Sequence, residues 1–161
     1  MVPVAKAFGM TVIAWSPNLT EERAAQAGAL FVGKDELFAR ADAVSIHMVL
    51  GERSRGLVGA HEIRLMKPQA ILVNTSRGPI VDETALLRAL RDGRIRAGLD
   101  VYDTEPLPRD HPLRSVPNAV LTPHLGYVTK GSYREFHEGM VEAIKAWRDG
   151  APIRVLAAPK G

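Results

Sequence analysis

Short apolar runs alternate with amphipathic helical patterns along almost the whole chain, and this alternation limits the possible folds more than any other feature. Strands of a parallel sheet are buried on both faces and read as continuous apolar runs, while the connecting helices cover the sheet. We predict strands near 11–15, 29–32, 43–48, 70–73, 95–101 and 119–121. We predict helices near 20–27, 34–40, 60–66, 82–92 and 129–149. The sequence therefore indicates an α/β fold built on a doubly wound parallel sheet.

Two of the predicted helices have clear termini. Asp82 is suited to cap helix 82–92, and Gly93 stands where a left-handed C-terminal cap belongs. Thr129 is the expected cap of helix 129–149. Its apolar residues recur at helical spacing: Tyr133, Phe136, Met140, Ile144 and Trp147. We expect this stripe to pack in the core rather than bind a cofactor, because helices dock through such stripes.

The composition excludes several classes of function. The 161 residues are 46% hydrophobic and 24% charged, as in one globular domain, and the 21 basic residues exceed the 18 acidic ones only slightly. Basic residues are dispersed, so neither nucleic acid nor a membrane surface is indicated as a partner. The absence of cysteine excludes disulfides and thiolate chemistry and is typical of a reducing compartment, so we expect the cytoplasm. The N-terminus reads as neither a signal peptide nor a membrane span.

Chemically capable side chains fall at or just beyond the carboxyl ends of the predicted strands, where open parallel sheets bind ligands. They are Arg77, Asp100, Glu105 and His124. The guanidinium of Arg77 is suited to grip a carboxylate through two parallel hydrogen bonds. The alternative for Arg77 is a simple salt bridge to a neighbouring acid, as for most surface arginines.

His124 follows Pro123 in the turn after the final strand. Its imidazole can exchange protons near neutral pH, and Glu105, on the proline-rich segment 102–118, is placed to hold one ring nitrogen. From these residues alone, a catalytic and a structural interpretation of His124 are equally open. The other histidines have neither metal-site spacing nor such a partner, so no metal site is assigned. They are His47, His61, His111 and His137.

Asp100 lies inside the apolar alternation of run 95–101. The period of a strand places it on the face opposite to the apolar residues of that run. Its carboxylate therefore needs a polar partner, because burial without one is costly.

The motifs "FGMTVIAWSPN", "ELFARADAVSIHMVLGERSRGLVG", "MKPQAILVNTSRGPIVDETALLRAL", "GLDVYDTEPLP" and "TPHLGY" occur in this order. Together they closely resemble the NAD-binding domain of the D-isomer-specific 2-hydroxyacid dehydrogenases, over about residues 5–150. The resemblance implies that Arg77 binds the substrate's carboxylate and carbonyl, that His124 gives a proton to the carbonyl oxygen, and that Glu105 orients His124. It implies a Rossmann-like fold.

The reaction implied by the resemblance is hydride transfer between a nicotinamide and C2 of a small 2-keto or 2-hydroxy acid. The implied cofactor is NAD or NADP, with NAD favoured, and the implied partner is a second copy of the chain in a homodimer. The expected cofactor-binding residues are Ser16, Thr75, Ser76, Asp100 and Gly126. Asp100 is expected beside the nicotinamide carboxamide.

The chain also departs from the family pattern. The first strand and its G-x-G-x-x-G loop are not found, so we interpret 1–150 as a partial dinucleotide-binding domain and 151–161 as a C-terminal tail, the stub of a substrate domain. Ser16 stands where the family usually has an acid for the adenosine ribose, which leaves NAD versus NADP open. A non-catalytic nucleotide-sensing or interaction module and an inactive gene fragment are the alternatives to an oxidoreductase. We expect the chain alone to bind dinucleotide poorly.

Overall fold

A computed structural model of the chain describes residues 1–156, and its elements alternate in the order expected for an α/β fold. The helices are Val2–Ala7 (α1), Glu21–Gln26 (α2), Lys34–Arg40 (α3), Ala60–Leu65 (α4), Glu83–Arg91 (α5) and Lys130–Arg148 (α6). The strands are Ile13–Ala14 (β1), Leu30–Phe31 (β2), Ala43–Ile46 (β3), Ile71–Asn74 (β4), Arg96–Leu99 (β5) and Ala119–Leu121 (β6). Short 3-10 helices span Gly78–Ile80 and Pro112–Ser115. Every predicted strand and helix is thus confirmed, with β1, β2, β3 and β5 shorter than expected.

The strands pair in parallel and form two sheets. One sheet has the order β1-β2 and the other the order β3-β4-β5-β6. In the doubly wound order expected from the sequence, β1 and β3 flank one central strand. In residues 1–156, β1 and β3 are not joined by hydrogen bonds to each other or to a strand between them, so each has an open edge. The carboxyl ends of β3 to β6 lie at one edge of the larger sheet.

Side-chain caps explain where several helices begin. The hydroxyl of Thr20 accepts a hydrogen bond from the Arg23 amide at the start of α2. Asp82 accepts from the Ala85 amide at 3.0 Å, as the sequence predicts for α5. Gly93, just after α5, has φ = 63°, the left-handed conformation that ends helices at glycine. These caps depend on residues only a few positions apart, so they can be recognised in the sequence.

The hydrophobic core lies between the larger sheet and the helices α3, α4 and α5. Side chains with less than 2% exposure include Met66, Leu72, Ile80, Leu90 and Ile95. Each such side chain contributes about 1.5–3 kcal/mol to folding by leaving water. The core therefore holds the carboxyl ends of β4 and β5 in place, and the next residues along the chain extend from that fixed edge.

The chain divides into a first compact unit, Met1–His124, and a second unit that begins at Leu125. Helix α6, capped by Thr129 as predicted, belongs to the second unit and has no buried residue. The expectation that its apolar stripe lies in the core is therefore wrong: Phe136 is 50% exposed and Trp147 is 72% exposed. Helical spacing identifies the apolar face of a helix but not the partner that covers it. Among residues 1–156, none of the helices has the length and apolar character needed to cross a membrane.

The predicted tail, 151–161, is described only in part, because residues 157–161 lie outside the described residues. Within the described part, Arg154 forms an ion pair of 2.6 Å with Glu142 of α6. The division of the chain at residue 150 stays a prediction.

The proline-rich segment 102–118 is an ordered loop, as expected from its lack of periodicity. Arg114 donates two hydrogen bonds of 2.7 Å to the carbonyls of Leu107 and Pro108, which closes the loop on itself. His111 lies 3.1 Å from the carboxylate of Glu83, at the start of α5. These contacts attach the loop to the first unit and hold the residues at its beginning.

Candidate active site

The turn after β4 carries Arg77, and the buried side chain of Asn74 holds that turn. Asn74 is 1% exposed; its amide donates to the Arg77 carbonyl at 2.8 Å, and its Oδ1 accepts from the Ser76 amide at 3.0 Å. The Ser76 hydroxyl donates to the carbonyl of Ile46, at the end of β3. The turn is therefore attached to the ends of two strands, while the Arg77 side chain is exposed and donates to the Ser76 carbonyl at 2.6 Å.

The segment after β5 carries Glu105, and Tyr102 anchors it. The Tyr102 amide donates to Glu105 Oε1 at 2.9 Å. The Tyr102 hydroxyl lies 2.9 Å from the Thr122 carbonyl and 3.2 Å from the Leu99 carbonyl. Burial raises the pKa of the Tyr102 phenol, and the negative charge of Asp100 raises it further, so the hydroxyl stays a hydrogen-bond donor. Tyr102 thus connects the Glu105 segment to the residue that follows β6.

His124 and Glu105 are in direct contact. Nδ1 of His124 lies 2.7 Å from Oε2 of Glu105, and both side chains are about one-third exposed. His124 has φ = 56°, in the left-handed region that non-glycine residues rarely adopt. Such a conformation costs about 1–3 kcal/mol and persists where surrounding contacts impose it, often at functional sites. A ring that donates from Nδ1 to a carboxylate presents Nε2 as the nitrogen that gains or loses a proton.

The positive charge of Arg77 favours the ionised form of Glu105. Burial alone would raise the pKa of the Glu105 carboxyl. The hydrogen bonds from His124 and from the Tyr102 amide, with the positive charges of His124 and Arg77, outweigh burial and lower that pKa below its ordinary value. The structure therefore places His124 and Glu105 in direct contact, and Arg77 lies on the turn after β4, at the same edge of the larger sheet.

Asp100 has the polar partner that its position requires. Its side chain is only 5% exposed, and Oδ1 accepts a hydrogen bond of 2.5 Å from the Thr122 hydroxyl, just beyond β6. The apolar residues of the same run, Ile95, Ala97, Leu99 and Val101, are buried as well. Asp100 thus lies at the carboxyl end of β5, between the Arg77 turn and the residues that follow β6.

The remaining residues predicted to contact the cofactor lie in different parts of the chain. Thr75 and Ser76 share the turn of Arg77, the former exposed and the latter half-buried. Ser16 is half-buried and follows β1, in the smaller sheet. Gly126 belongs to the second unit. Their contacts with a cofactor stay predictions.

The tertiary structure brings together one group of possible metal ligands that sequence spacing does not indicate. In the described part of the chain, ligand atoms of Asp35, His61 and Glu62 lie within 4.8 Å of one another. The ammonium of Lys34 lies 2.7 Å from Glu62, whose other oxygen accepts the Gly59 amide at 2.8 Å. Burial would raise the pKa of Glu62, but the Lys34 and Gly59 hydrogen bonds lower it. Because both oxygens of Glu62 are occupied, we do not assign a metal to this group.

Sequence reasoning missed the residues that hold the site together. Asn74 and Tyr102 both place backbone that carries a candidate site residue, and neither was singled out. An asparagine directly after a buried strand is a signal for a side-chain-stabilised turn, so Asn74 was detectable. The role of Tyr102 depends on a hydrogen bond to the carbonyl of Thr122, 20 positions away, so no local sequence pattern reveals it.

The comparisons with known proteins show which family the chain resembles. The family described as "D-isomer specific 2-hydroxyacid dehydrogenase, NAD binding domain" matches residues 1–126. A glyoxylate reductase of Aeropyrum pernix is 44% identical over 148 residues, which are 91% of this chain and 44% of the relative. A D-3-phosphoglycerate dehydrogenase of Methanocaldococcus jannaschii is 41% identical over 147 residues, 90% of this chain and 28% of the relative.

A solved structure of similar fold is that of D-lactate dehydrogenase from Aquifex aeolicus, in complex with NAD and lactic acid. It superposes with a TM-score of 0.77 at 29% identity, over 92% of this chain and 49% of that one. The chain thus spans less than half the length of the relatives described here.

Proposed function

The chain belongs to the D-isomer-specific 2-hydroxyacid dehydrogenase family, and on that premise we propose that it carries the acid/base and carboxylate-binding residues of a D-2-hydroxyacid dehydrogenase. The observation that carries this proposal is the 2.7 Å contact between His124 and Glu105, with the charge of Arg77 acting on the same carboxylate. A module that only binds nucleotide has no use for this arrangement. The proposed substrate is a small 2-keto or 2-hydroxy acid.

In the proposed mechanism, Arg77 binds the substrate carboxylate through two charge-assisted hydrogen bonds and so orients C2. Nε2 of His124 gives a proton to the oxygen on C2 during reduction and takes it back during oxidation. Glu105 holds the ring through Nδ1 and stabilises the imidazolium. When bound, the dinucleotide supplies the hydride chemistry.

The residues present fit one end of a dinucleotide better than the rest of it. The buried carboxylate of Asp100 and the polar turn of Thr75 and Ser76 lie at the carboxyl ends of β5 and β4 and suit the nicotinamide end of a dinucleotide. The sequence has no G-x-G-x-x-G loop, which in such folds supplies backbone amides to the pyrophosphate. We therefore keep the expectation that this chain alone binds dinucleotide poorly, and the choice between NAD and NADP at Ser16 stays open.

The open edges of β1 and β3 favour a second candidate, a non-catalytic nucleotide-sensing or interaction module. The exposed apolar face of α6 supports the proposal of a homodimer. A cytoplasmic location is proposed from the absence of cysteine.

The test of the proposed function is a hybrid enzyme in which this chain replaces the matching 148-residue region of the Aeropyrum pernix glyoxylate reductase. We expect the hybrid to reduce glyoxylate with NADH or NADPH, and the variant His124→Asn to lose nearly all activity. The matched control is His61→Asn, on α4 in contact with Asp35, which should keep activity. A hybrid in which His124→Asn is as active as the unaltered form would contradict the proposal.

The same assay on the chain alone separates the two candidates. Titration with NADH and NADPH is expected to show weak binding, with no measurable turnover of glyoxylate or hydroxypyruvate. Micromolar binding without turnover, in both the chain and the hybrid, would support the nucleotide-sensing module instead. Micromolar binding with turnover by the chain alone would show that another surface replaces the glycine-rich loop.

A further inference from the structure

Gly78 directly follows Arg77 and packs against the backbone of the Glu105 segment. A Cβ atom at this position would lie 2.0 Å from the Tyr102 carbonyl carbon, 2.2 Å from its oxygen and 2.5 Å from the Asp103 nitrogen. Real Cβ atoms do not approach other heavy atoms within 3.0 Å, and here all three neighbours are backbone atoms that cannot rotate away. Gly78 is not among the residues of positive φ, so the position requires glycine for space and not for backbone conformation.

This contact joins two segments that carry different parts of the site. On one side, Asn74 fixes the turn through the Arg77 carbonyl, one residue before Gly78. On the other side, the Tyr102 amide holds Glu105, which in turn holds His124. The separation of the two segments at Gly78 therefore sets how far the Arg77 charge lies from the carboxylate of Glu105.

We propose that Gly78 is a positioning residue that sets the distance between the carboxylate-binding Arg77 and the Glu105–His124 pair. The role of this distance in catalysis rests on the function proposed above, but the distance itself does not. Any side chain at Gly78 must separate the two backbones by at least about 1 Å, the difference between 2.0 Å and 3.0 Å. A misplacement of about 1 Å can cost an enzyme roughly 100-fold in rate.

Gly98, in the middle of β5, provides a matched control for a glycine-to-alanine change. A Cβ atom at Gly98 would meet only a methyl group of Val73 at 3.8 Å, an ordinary van der Waals distance. Gly98 has no positive φ either. Gly98→Ala therefore makes the same chemical change in the same sheet without moving the Arg77 turn or the Glu105 segment.

The test is a double-mutant cycle read by NMR titration of the Glu105 carboxyl carbon in the isotopically labelled chain. In the unaltered chain, Arg77→Met should raise the Glu105 pKa, because it removes one of the charges that lower it. In the Gly78→Ala background, the same change should have a measurably smaller effect, since the added Cβ atom moves the Arg77 turn away from the Glu105 segment. In the Gly98→Ala background, Arg77→Met should have its full effect. An undiminished effect of Arg77→Met in Gly78→Ala would overturn the proposal.

A second measurement covers the case in which Gly78→Ala does not fold. In the unaltered chain, a strong nuclear Overhauser effect is expected between the Gly78 α-protons and the Asp103 amide proton. This contact, and the effect of Arg77→Met on the Glu105 pKa, are both measured in chains that keep Gly78. The absence of either one overturns the proposal. Neither measurement uses cofactor or substrate, so an inactive hybrid enzyme would count against the proposed function and leave this inference standing.

Discussion

His124 and Glu105 form a hydrogen bond of 2.7 Å, although 19 positions separate them along the chain. The second oxygen of Glu105 accepts the Tyr102 amide, so both carboxylate oxygens have partners and the orientation of the group is set. His124 in turn is held in a left-handed backbone conformation. Contacts within the chain therefore set the orientation of the proposed acid/base pair.

Glu105→Gln tests the contribution of the carboxylate to proton transfer. The change keeps the size of the side chain but removes the charge that stabilises the imidazolium. In the hybrid enzyme we expect kcat for glyoxylate reduction to fall by roughly 100-fold or more. Glu52→Gln, an exposed residue outside the site, is the matched control. An unchanged kcat in Glu105→Gln would contradict the acid/base pairing.

Glu105→Gln should also change how the free energy of unfolding depends on pH. The pKa of Glu105 in the folded chain lies below the ordinary value of a glutamate, so its charge stabilises the fold at pH values above that ordinary value. This contribution is lost as the pH falls through the lowered pKa. Urea unfolding between pH 3 and pH 7 should therefore show a smaller loss of stability on acidification in Glu105→Gln than in the unaltered chain. If the free energy of unfolding depends on pH equally in both chains, the ionised Glu105 does not stabilise the fold.

Arg77→Lys tests carboxylate recognition. Lysine keeps the positive charge but cannot donate two parallel hydrogen bonds to one carboxylate. Loss of one hydrogen bond to a charged group costs about 1.5–3 kcal/mol, so kcat/KM of the hybrid enzyme should fall roughly 10- to 150-fold, mainly through a higher KM. Arg53→Lys, on an exposed segment, should leave both constants unchanged. If Arg77→Lys alters kcat alone, Arg77 has a different role.

Asn74→Ala tests the residue that holds the Arg77 turn. The change removes two hydrogen bonds from a site that is 1% exposed and leaves the Arg77 carbonyl and the Ser76 amide without this partner. The free energy of unfolding should fall by about 1–3 kcal/mol in urea denaturation. The exposed Asn18→Ala should change it by less than about 0.5 kcal/mol. A neutral Asn74→Ala would show that water or another group replaces the side chain.

The state of association tests the proposed homodimer. Helix α6 exposes large apolar side chains, among them Tyr133, Phe136, Met140, Ile144 and Trp147. Apolar surface of this kind is typical of an interface, so light scattering should show a dimer or a larger species at micromolar concentration. A monomer that stays monodisperse under these conditions would disprove the proposal.

The order and type of the helices and strands could be predicted from local patterns in the amino-acid sequence. The predicted helix 34–40 and the observed α3, Lys34–Arg40, have the same bounds, because helical periodicity depends on residues a few positions apart. The predicted run 95–101 is a strand only at Arg96–Leu99, because hydrogen bonding to the two neighbouring strands decides where a strand ends. The contact between Glu105 and His124 was also predicted, since residues that follow neighbouring strands of a parallel sheet meet at one edge.

The contacts that position these residues join distant parts of the chain, so they are visible in the tertiary structure and not in the sequence. The space requirement at Gly78 comes from Tyr102 and Asp103, which are distant in sequence and leave no local pattern. The grouping of Asp35, His61 and Glu62 likewise arises where α3 meets α4. The apolar stripe of α6 was correctly located on the helix, but its exposure was not predicted. Periodicity shows which residues share a helix face, whereas burial depends on what packs against that face.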